Sequence, residues 1–273
     1  MPWTAYKIIL QVASPLHVGS QKIGNIQQAR PYVTGRALWG AITARLTRDF
    51  FTPPGNYAVV GEQVHNALAF SYFYPALNQG QDVWLRWLKP AQEFDWLFLN
   101  TYASTALADG HVAETASLHE TEFIAPRTRD NRPVFLAGYI LEKQDNTLPW
   151  RDTLDRLQFG SERGYGWGRV KLARPLEASN DCFGFTHDLT GSSPKLWIPA
   201  ESHLPAHTLA TPFSDVDGFV EPFLGREWDD KLGGSGRRVS QAQICWTPSS
   251  KIKNSSWLQI GNFGVLANPT ENR

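Results

Sequence analysis

The sequence predicts an α+β fold built on an antiparallel sheet. Three observations carry that reading: an alternating apolar segment at the start, an amphipathic helix soon after it, and later strand-turn-strand patterns that interrupt any βαβ alternation. Residues 5–13, AYKIILQVA, alternate and are rich in β-branched side chains, which predicts a half-buried strand ending at Ser14-Pro15. Residues 16–33, with Gly19, Gly24 and many amides, read as a loop. A helix opens at Thr34-Gly35, with Leu38, Ala41, Ile42 and Leu46 on one stripe and Arg36, Arg45 and Arg48 off it. Residues 67–76 predict a strand, and the apolar stretch 84–99 a helical region running on into 101–108. Over 118–140 the pattern is strand, turn, strand, a hairpin whose tip carries Arg127, Arg129 and Arg132. A short helix follows, capped at Asn146 or Thr147, with Pro149 in its first turn and Trp150, Leu154 and Leu157 as its apolar stripe. It leads into a glycine-rich run at 159–169 and a strand at 170–173. The division this implies is a module over 1–175 and a β-rich extension or small second domain over 176–273, where Pro, Ser, Asp and Trp dominate.

The chain has 273 residues, of which 12% are aromatic and only two are cysteine, so neither disorder nor a disulfide scaffold fits. No apolar run approaches the ~18 residues of a membrane span, and the N-terminal segment lacks a basic, cleavable leader pattern, so no membrane partner and a cytoplasmic location are expected. Lys+Arg and Asp+Glu both number 26, yet the charge lies in blocks. Residues 1–50 carry six basic groups and one acid, 51–125 two and eight, 126–175 ten and six, and 176–273 eight and eleven. Such segregation suits a protein with one anion-binding face.

The densest chemical signal is 160–169, where Gly160, Gly164, Gly166 and Gly168 alternate with Arg163, Tyr165, Trp167 and Arg169. Glycines let backbone N–H groups approach an anion, arginines add charge and aromatic rings stack on bases; the bland alternative is a glycine-rich bulge packed on the sheet. The spacing is not the dinucleotide fingerprint, and no Walker lysine is present. A second candidate is Gly35-Arg36 at the helix start, where free N–H groups and the dipole favour phosphate, with Arg45 further along. The third is Ser14-Pro15-Leu16-His17-Val18-Gly19-Ser20 with Lys22, where His17 is the weak candidate for general acid/base chemistry and otherwise a structural histidine. His203 and His207 have helical metal spacing, but Pro205 stands between them and no third ligand is evident, so neither a metal nor a cofactor is expected. Cys182 and Cys245 read as reduced core thiols.

Taken in order, the strand, Ser14-Pro15-Leu16-His17-Val18-Gly19, then Pro31-Tyr32-Val33-Thr34-Gly35-Arg36-Ala37-Leu38-Trp39-Gly40-Ala41 entering a helix, and the Phe159–Val170 loop resemble the RAMP superfamily of CRISPR-associated proteins. The likeness covers residues 5–173 and is most similar to subunits of type III effector complexes. It implies a ferredoxin-like, RRM-related module that binds CRISPR RNA, with target RNA, other RAMP subunits and the large subunit as further partners. The 118–140 hairpin would correspond to a thumb placed between nucleotides. Target-cutting subunits carry an aspartate in the loop after the first strand, whereas Gly19–Val33 has neither Asp nor Glu. Repeat-processing nucleases often use a histidine on or near the first helix, and residues 34–50 have none. A non-catalytic RNA-binding subunit is the expectation; a metal-independent endoribonuclease, a target-cutting subunit or a Trp-rich β protein with another ligand are the alternatives.

Overall fold

A computed structural model describes residues 2–51, 56–107, 112–211, 215–229 and 234–269. The N-terminal elements are β1 (Trp3–Val12), β2 (Gly19–Ile23), β3 (Ile26–Ala29), α1 (Gly35–Asp49), α2 (Tyr57–Ala67), β4 (Leu68–Phe70), β5 (Tyr74–Leu77), β6 (Asp82–Val83), α3 (Ala91–Phe98), β7 (Leu99–Ser104), β8 (His119–Ile124), β9 (Phe135–Lys143) and β10 (Val170–Leu172). The remainder is strand and loop: β11 (Glu177–Ala178), β12 (Thr186–Asp188), β13 (Lys195–Ile198), β14 (Thr208–Leu209), β15 (Val216–Asp217), β16 (Val220–Phe223), β17 (Arg226–Asp229), β18 (Gly234–Val239), β19 (Gln243–Trp246), β20 (Lys251–Ile252), β21 (Ser256–Ile260) and β22 (Leu266–Ala267). No helix among the described residues is long and apolar enough to cross a membrane.

The central sheet runs β10-β1-β9-β5-β6, with β11 on β1 and β4 on β9, and every pairing is antiparallel. Its spine is the β1–β9 ladder, in register from Trp3↔Lys143 to Gln11↔Phe135. Alternation along β1 sends Ile8, Leu10 and Val12 to one face, with Leu38, Ile42 and Leu46 of α1 and Val60 and Val64 of α2. Trp3 and Ala5 point to the other face, where they join Tyr139, Leu141, Leu196, Ile198, Leu258 and Ile260. β1 is therefore covered on both sides, not half-buried as its alternation suggests, because residues 182–266 pack on the face that would otherwise meet water.

α1 forms where expected: Thr34 Oγ1 accepts from the Ala37 N–H, and Leu38, Ala41, Ile42 and Leu46 are all buried. The expected strand over 67–76 is broken by Ser71–Phe73 into β4 and β5, and 99–104 is strand, not helix. The expected α-helix at 150–157 is a 3₁₀ segment, Trp150–Arg156, with Pro149 at its N-cap position and no side-chain cap. Its position is set by Glu142, which accepts from Trp150 Nε1 and Asn146 Nδ2, both at 2.8 Å, and pairs with Arg151. The expected loop at 16–33 contains the β2–β3 hairpin, turning at Gly24 (φ 60°).

The expected 118–140 hairpin forms only at its tip, where Arg127 and Pro133 make an antiparallel bridge and the Thr128 N–H donates to the Arg132 carbonyl at 2.9 Å; β8 and β9 do not pair. β8 pairs with β7 and, in parallel, with β3 in a separate sheet ordered β2-β3-β8-β7, while β9 enters the central sheet. The reason lies in burial: the first eight residues of β9 are buried, which only a central position satisfies, whereas β8 alternates. The intervening loop is tied by Thr128, which accepts from the Arg132 N–H, and by the Arg132–Asp130 ion pair at 2.7 Å.

A buried polar clamp joins the entry to α1 to the C-terminal strands. Arg30 pairs with Glu221 at 2.6 Å and donates to the Tyr32 hydroxyl, and His207 lies between Glu221 and the Tyr72 hydroxyl. One tautomer satisfies the network: His207 Nε2–H donates to Glu221 and Nδ1 accepts from Tyr72. Burial, with Arg30 nearby, keeps the His207 imidazole below its ordinary pKa. Burial alone would raise the Glu221 carboxyl, but hydrogen bonding from His207 and the charge of Arg30 outweigh it and hold it at about 2. The other candidate ligand, His203, sits outside this network, bridged to Lys251.

Two outcomes follow from this packing. Leu38→Ala, at a fully buried site, should cost about 2–5 kcal/mol in urea unfolding. Both His207 and Glu221 have depressed pKa values when folded, so their contribution is present at neutral pH and is lost as protons bind the unfolded chain first, from 6.5 downward for His207 and from 4.5 toward about 2 for Glu221. In Glu221→Gln the urea midpoint should fall less steeply over that lower range than in wild type; equal slopes would remove Glu221 from the account.

Candidate nucleic-acid interface

The glycine-rich run and the Ser14–Val18 segment, 150 residues apart in sequence, form one seam. Ser161 N–H donates to the His17 carbonyl at 3.1 Å, Gly168 N–H to the Pro15 carbonyl at 2.7 Å, and Arg169 N–H to Ser14 Oγ at 2.9 Å. Gly160 permits the approach, and Gly168 lets the run close on itself. A Cβ on Gly160 would lie 1.9 Å from the His17 oxygen and one on Gly168 1.9 Å from the Phe159 oxygen, and both residues have positive φ. Between them, Arg163–Tyr165 make one 3₁₀ turn flanked by left-handed Glu162 and Gly166, and Gln158 Nε2 braces it from below by donating to the carbonyls of Arg163 and Trp167. Among the described residues no acceptor faces the backbone N–H groups of Glu162, Arg163 and Gly164. Arg163, Gly164, Tyr165 and Arg169 are exposed, Tyr165 at 86%. The arrangement is a rigid base carrying a turn with outward N–H groups, two cations and a free aromatic face.

The candidates around it divide. His17 is buried, its Nδ1 is 2.6 Å from the Glu122 carbonyl, and it therefore anchors the strand end to β8; it is not placed as an exposed acid or base. Gly19, Ser20 and Lys22 lie exposed on β2. Trp167 points the other way from Tyr165, edge-on to Phe123 at 5.0 Å and Tyr102 at 6.0 Å, so it ties the loop to the β2-β3-β8-β7 sheet instead of offering a face to a base. Tyr102, 58% exposed, is a neighbour that sequence reasoning missed, since nothing local links 102 to 167.

The start of α1 is not an open phosphate site. A Cβ on Gly35 would be 2.4 Å from the Phe263 carbonyl, so residues 263–264 cover that helix end. Arg36 pairs with Glu227 at 3.0 Å and lies over the Phe263 ring at 4.3 Å. Arg45 pairs with Asp49, which also receives Arg156. At 127–132, Arg127 donates to the Asn131 carbonyl and Arg132 to Asp130; Arg129 is exposed. These three sit on the short 126–134 hairpin that joins the two sheets. Cys182 and Cys245 are buried free thiols, pushed up by burial to about 12 and about 11.

No family model and no curated protein matches the sequence. Solved structures do. A chain in a cryo-EM structure of the type III-B Cmr-beta complex bound to cognate target RNA and AMPPnP superposes with a TM-score of 0.51 at 12% identity, over 90% of this chain and 86% of that one. The fold is shared with that chain. Chains in two further Cmr-beta structures, one bound to cognate target RNA and one apo, give TM-scores of 0.43 and 0.41 at 14% and 13% identity, each over 65% of this chain and over 61% and 98% of their own lengths. The α+β architecture with mostly antiparallel sheets is the one the order of elements in the sequence predicts.

The seam makes a paired test. Gly160→Ala meets both a positive φ and the His17 backbone and should destabilise the protein by more than about 1 kcal/mol in chemical denaturation. Gly164→Ala, with nothing within 4 Å, should stay within about 0.5 kcal/mol of wild type.

Proposed function

We propose that this chain is a non-catalytic CRISPR RNA-binding subunit of a type III CRISPR effector complex, acting in antiviral defence in the prokaryotic cytoplasm. The observation that carries the reading is the braced turn at 162–166, whose N–H groups, Arg163 and Tyr165 face outward together. The shared fold with a Cmr-beta chain supports it. So does the central sheet: β10-β1-β9-β5 is the strand order of a ferredoxin-like module, with α1 after the first strand and the 3₁₀ segment in place of the second helix. On this reading residues 1–175 form the RAMP module, 176–273 a β-rich extension, and the partners are CRISPR RNA, target RNA, neighbouring RAMP subunits and the large subunit.

The binding mode follows from the turn's construction. The backbone N–H groups and Arg163 meet phosphate, Tyr165 stacks on a base, and Arg169, whose guanidinium lies 3.8 Å from the Cβ position of Gly166, closes the far side. The buried position of His17 and the lack of Asp or Glu over Gly19–Val33 favour holding RNA over cutting it.

In filter binding with single-stranded repeat RNA, Arg163→Ala/Tyr165→Ala should lower affinity by at least about tenfold, the size of one lost stack plus one lost phosphate contact. Each cation removed should also reduce the slope of log K against log salt by about 0.7. Equal affinity and slope in the double variant would make the loop purely structural.

A further inference from the structure

A second feature lies apart from the loop. An open groove of about 640 Å³ runs between the start of α1, the β17–β18 hairpin and one face of the C-terminal sheet. Its floor is apolar, built from Leu209, Phe223 and Val265, while Leu258, Ile260 and Leu266 of the same sheet enter the core. Its rim carries the side-chain amides of Gln241, Gln243 and Asn262, and none of the three has an intramolecular partner among the described residues. One wall holds Arg36 and Arg238, which share a single carboxylate, Glu227, at 3.0 and 3.6 Å. Two cations there share one acid.

Apolar floor, free amide edges and a cationic wall together fit a planar, polar-edged, anionic ligand, which is the chemistry of a nucleotide. Continuity with the glycine-rich loop selects a nucleotide within a strand. Trp228, next to Glu227 on β17 and 40% exposed, stacks on Tyr57 at 5.4 Å and 27°. The loop reaches this region through Arg30: its N–H donates to the Val18 carbonyl at 2.7 Å, beside the His17 carbonyl that Ser161 holds, and its guanidinium pairs at 2.6 Å with Glu221, two residues before Phe223 of the groove floor. Short contacts thus link loop and groove, and the exposed indole stands on the hairpin that walls the groove.

We propose that the groove is a second single-stranded RNA subsite, which takes a nucleotide of the strand held by the glycine-rich loop after that strand passes the exposed edge of Trp228. The proposal rests on the RNA-binding reading above and extends it to residues 223–265. Arg238, 62% exposed, supplies the phosphate contact; Gln241, Gln243 and Asn262 meet the base edge; Arg36 positions Glu227 and so the wall.

The test uses the full chain with two RNAs, of about four and about twelve nucleotides, the range over which single-strand-binding folds operate. Arg163→Ala should weaken both. Arg238→Gln/Gln243→Ala, on the exposed rim, should weaken only the longer RNA, by about fivefold or more and with a salt slope reduced by about 0.7. Photo-crosslinking of a 4-thiouridine-bearing longer RNA should label the 238–243 segment. If the rim variant binds the longer RNA as wild type does and crosslinks stay at the loop, the groove is not an RNA subsite and the loop reading stands. If wild type binds neither RNA, the RNA-binding reading fails and the subsite with it.

Discussion

The structure depends on two backbone segments lying closer than side chains allow. Ser14–Val18 leaves the central sheet at the end of β1, and Gly160–Arg169 returns to it just before β10, so their contact closes the sheet on that edge. With glycine at 160 and 168, the carbonyls of Pro15 and His17 accept directly from the opposing N–H groups, and the turn at 162–166 stands on a hydrogen-bonded base. The conformational entropy of a glycine-rich run is thereby removed in folding, before any ligand arrives.

Covering the central sheet on both faces has a second consequence. The helices take one face and residues 182–266 the other, so the C-terminal strands contribute to the same core as β1 and β9. The Arg30–Glu221–His207–Tyr72 network fixes their placement, because Arg30 reaches Glu221 and the Tyr72 hydroxyl reaches His207 only when both parts are seated. That seating brings Trp228 beside Tyr57 and Arg36 onto Glu227.

Local pattern was enough for some elements. β1 follows from its alternation, α1 from the Thr34 cap and the Leu38–Leu46 stripe, and the tight turn at 160–169 from its glycines. Pairing partners were not legible, because adjacency in sequence suggested that β8 should pair with β9, whereas burial on both faces sends β9 to the centre of another sheet. Arg36 illustrates the same limit at the site. Its position at a helix start suggests phosphate, but its partners, Glu227 and Phe263, lie about 190 and 230 residues away and leave no local trace. Trp167 likewise reads as a stacking face and proves to be an anchor, because Phe123 and Tyr102 arrive from the neighbouring sheet.

The central claim is that residues 160–169 form a rigid, preorganised turn whose outward N–H groups receive RNA. Amide hydrogen exchange, followed segment by segment with and without single-stranded repeat RNA, tests it most directly. The account predicts that Ser161 and Gly168 are protected in the free protein, and that Glu162, Arg163 and Gly164 exchange freely until RNA is added and then become protected. Unchanged exchange at Glu162–Gly164 in the presence of saturating RNA would contradict it.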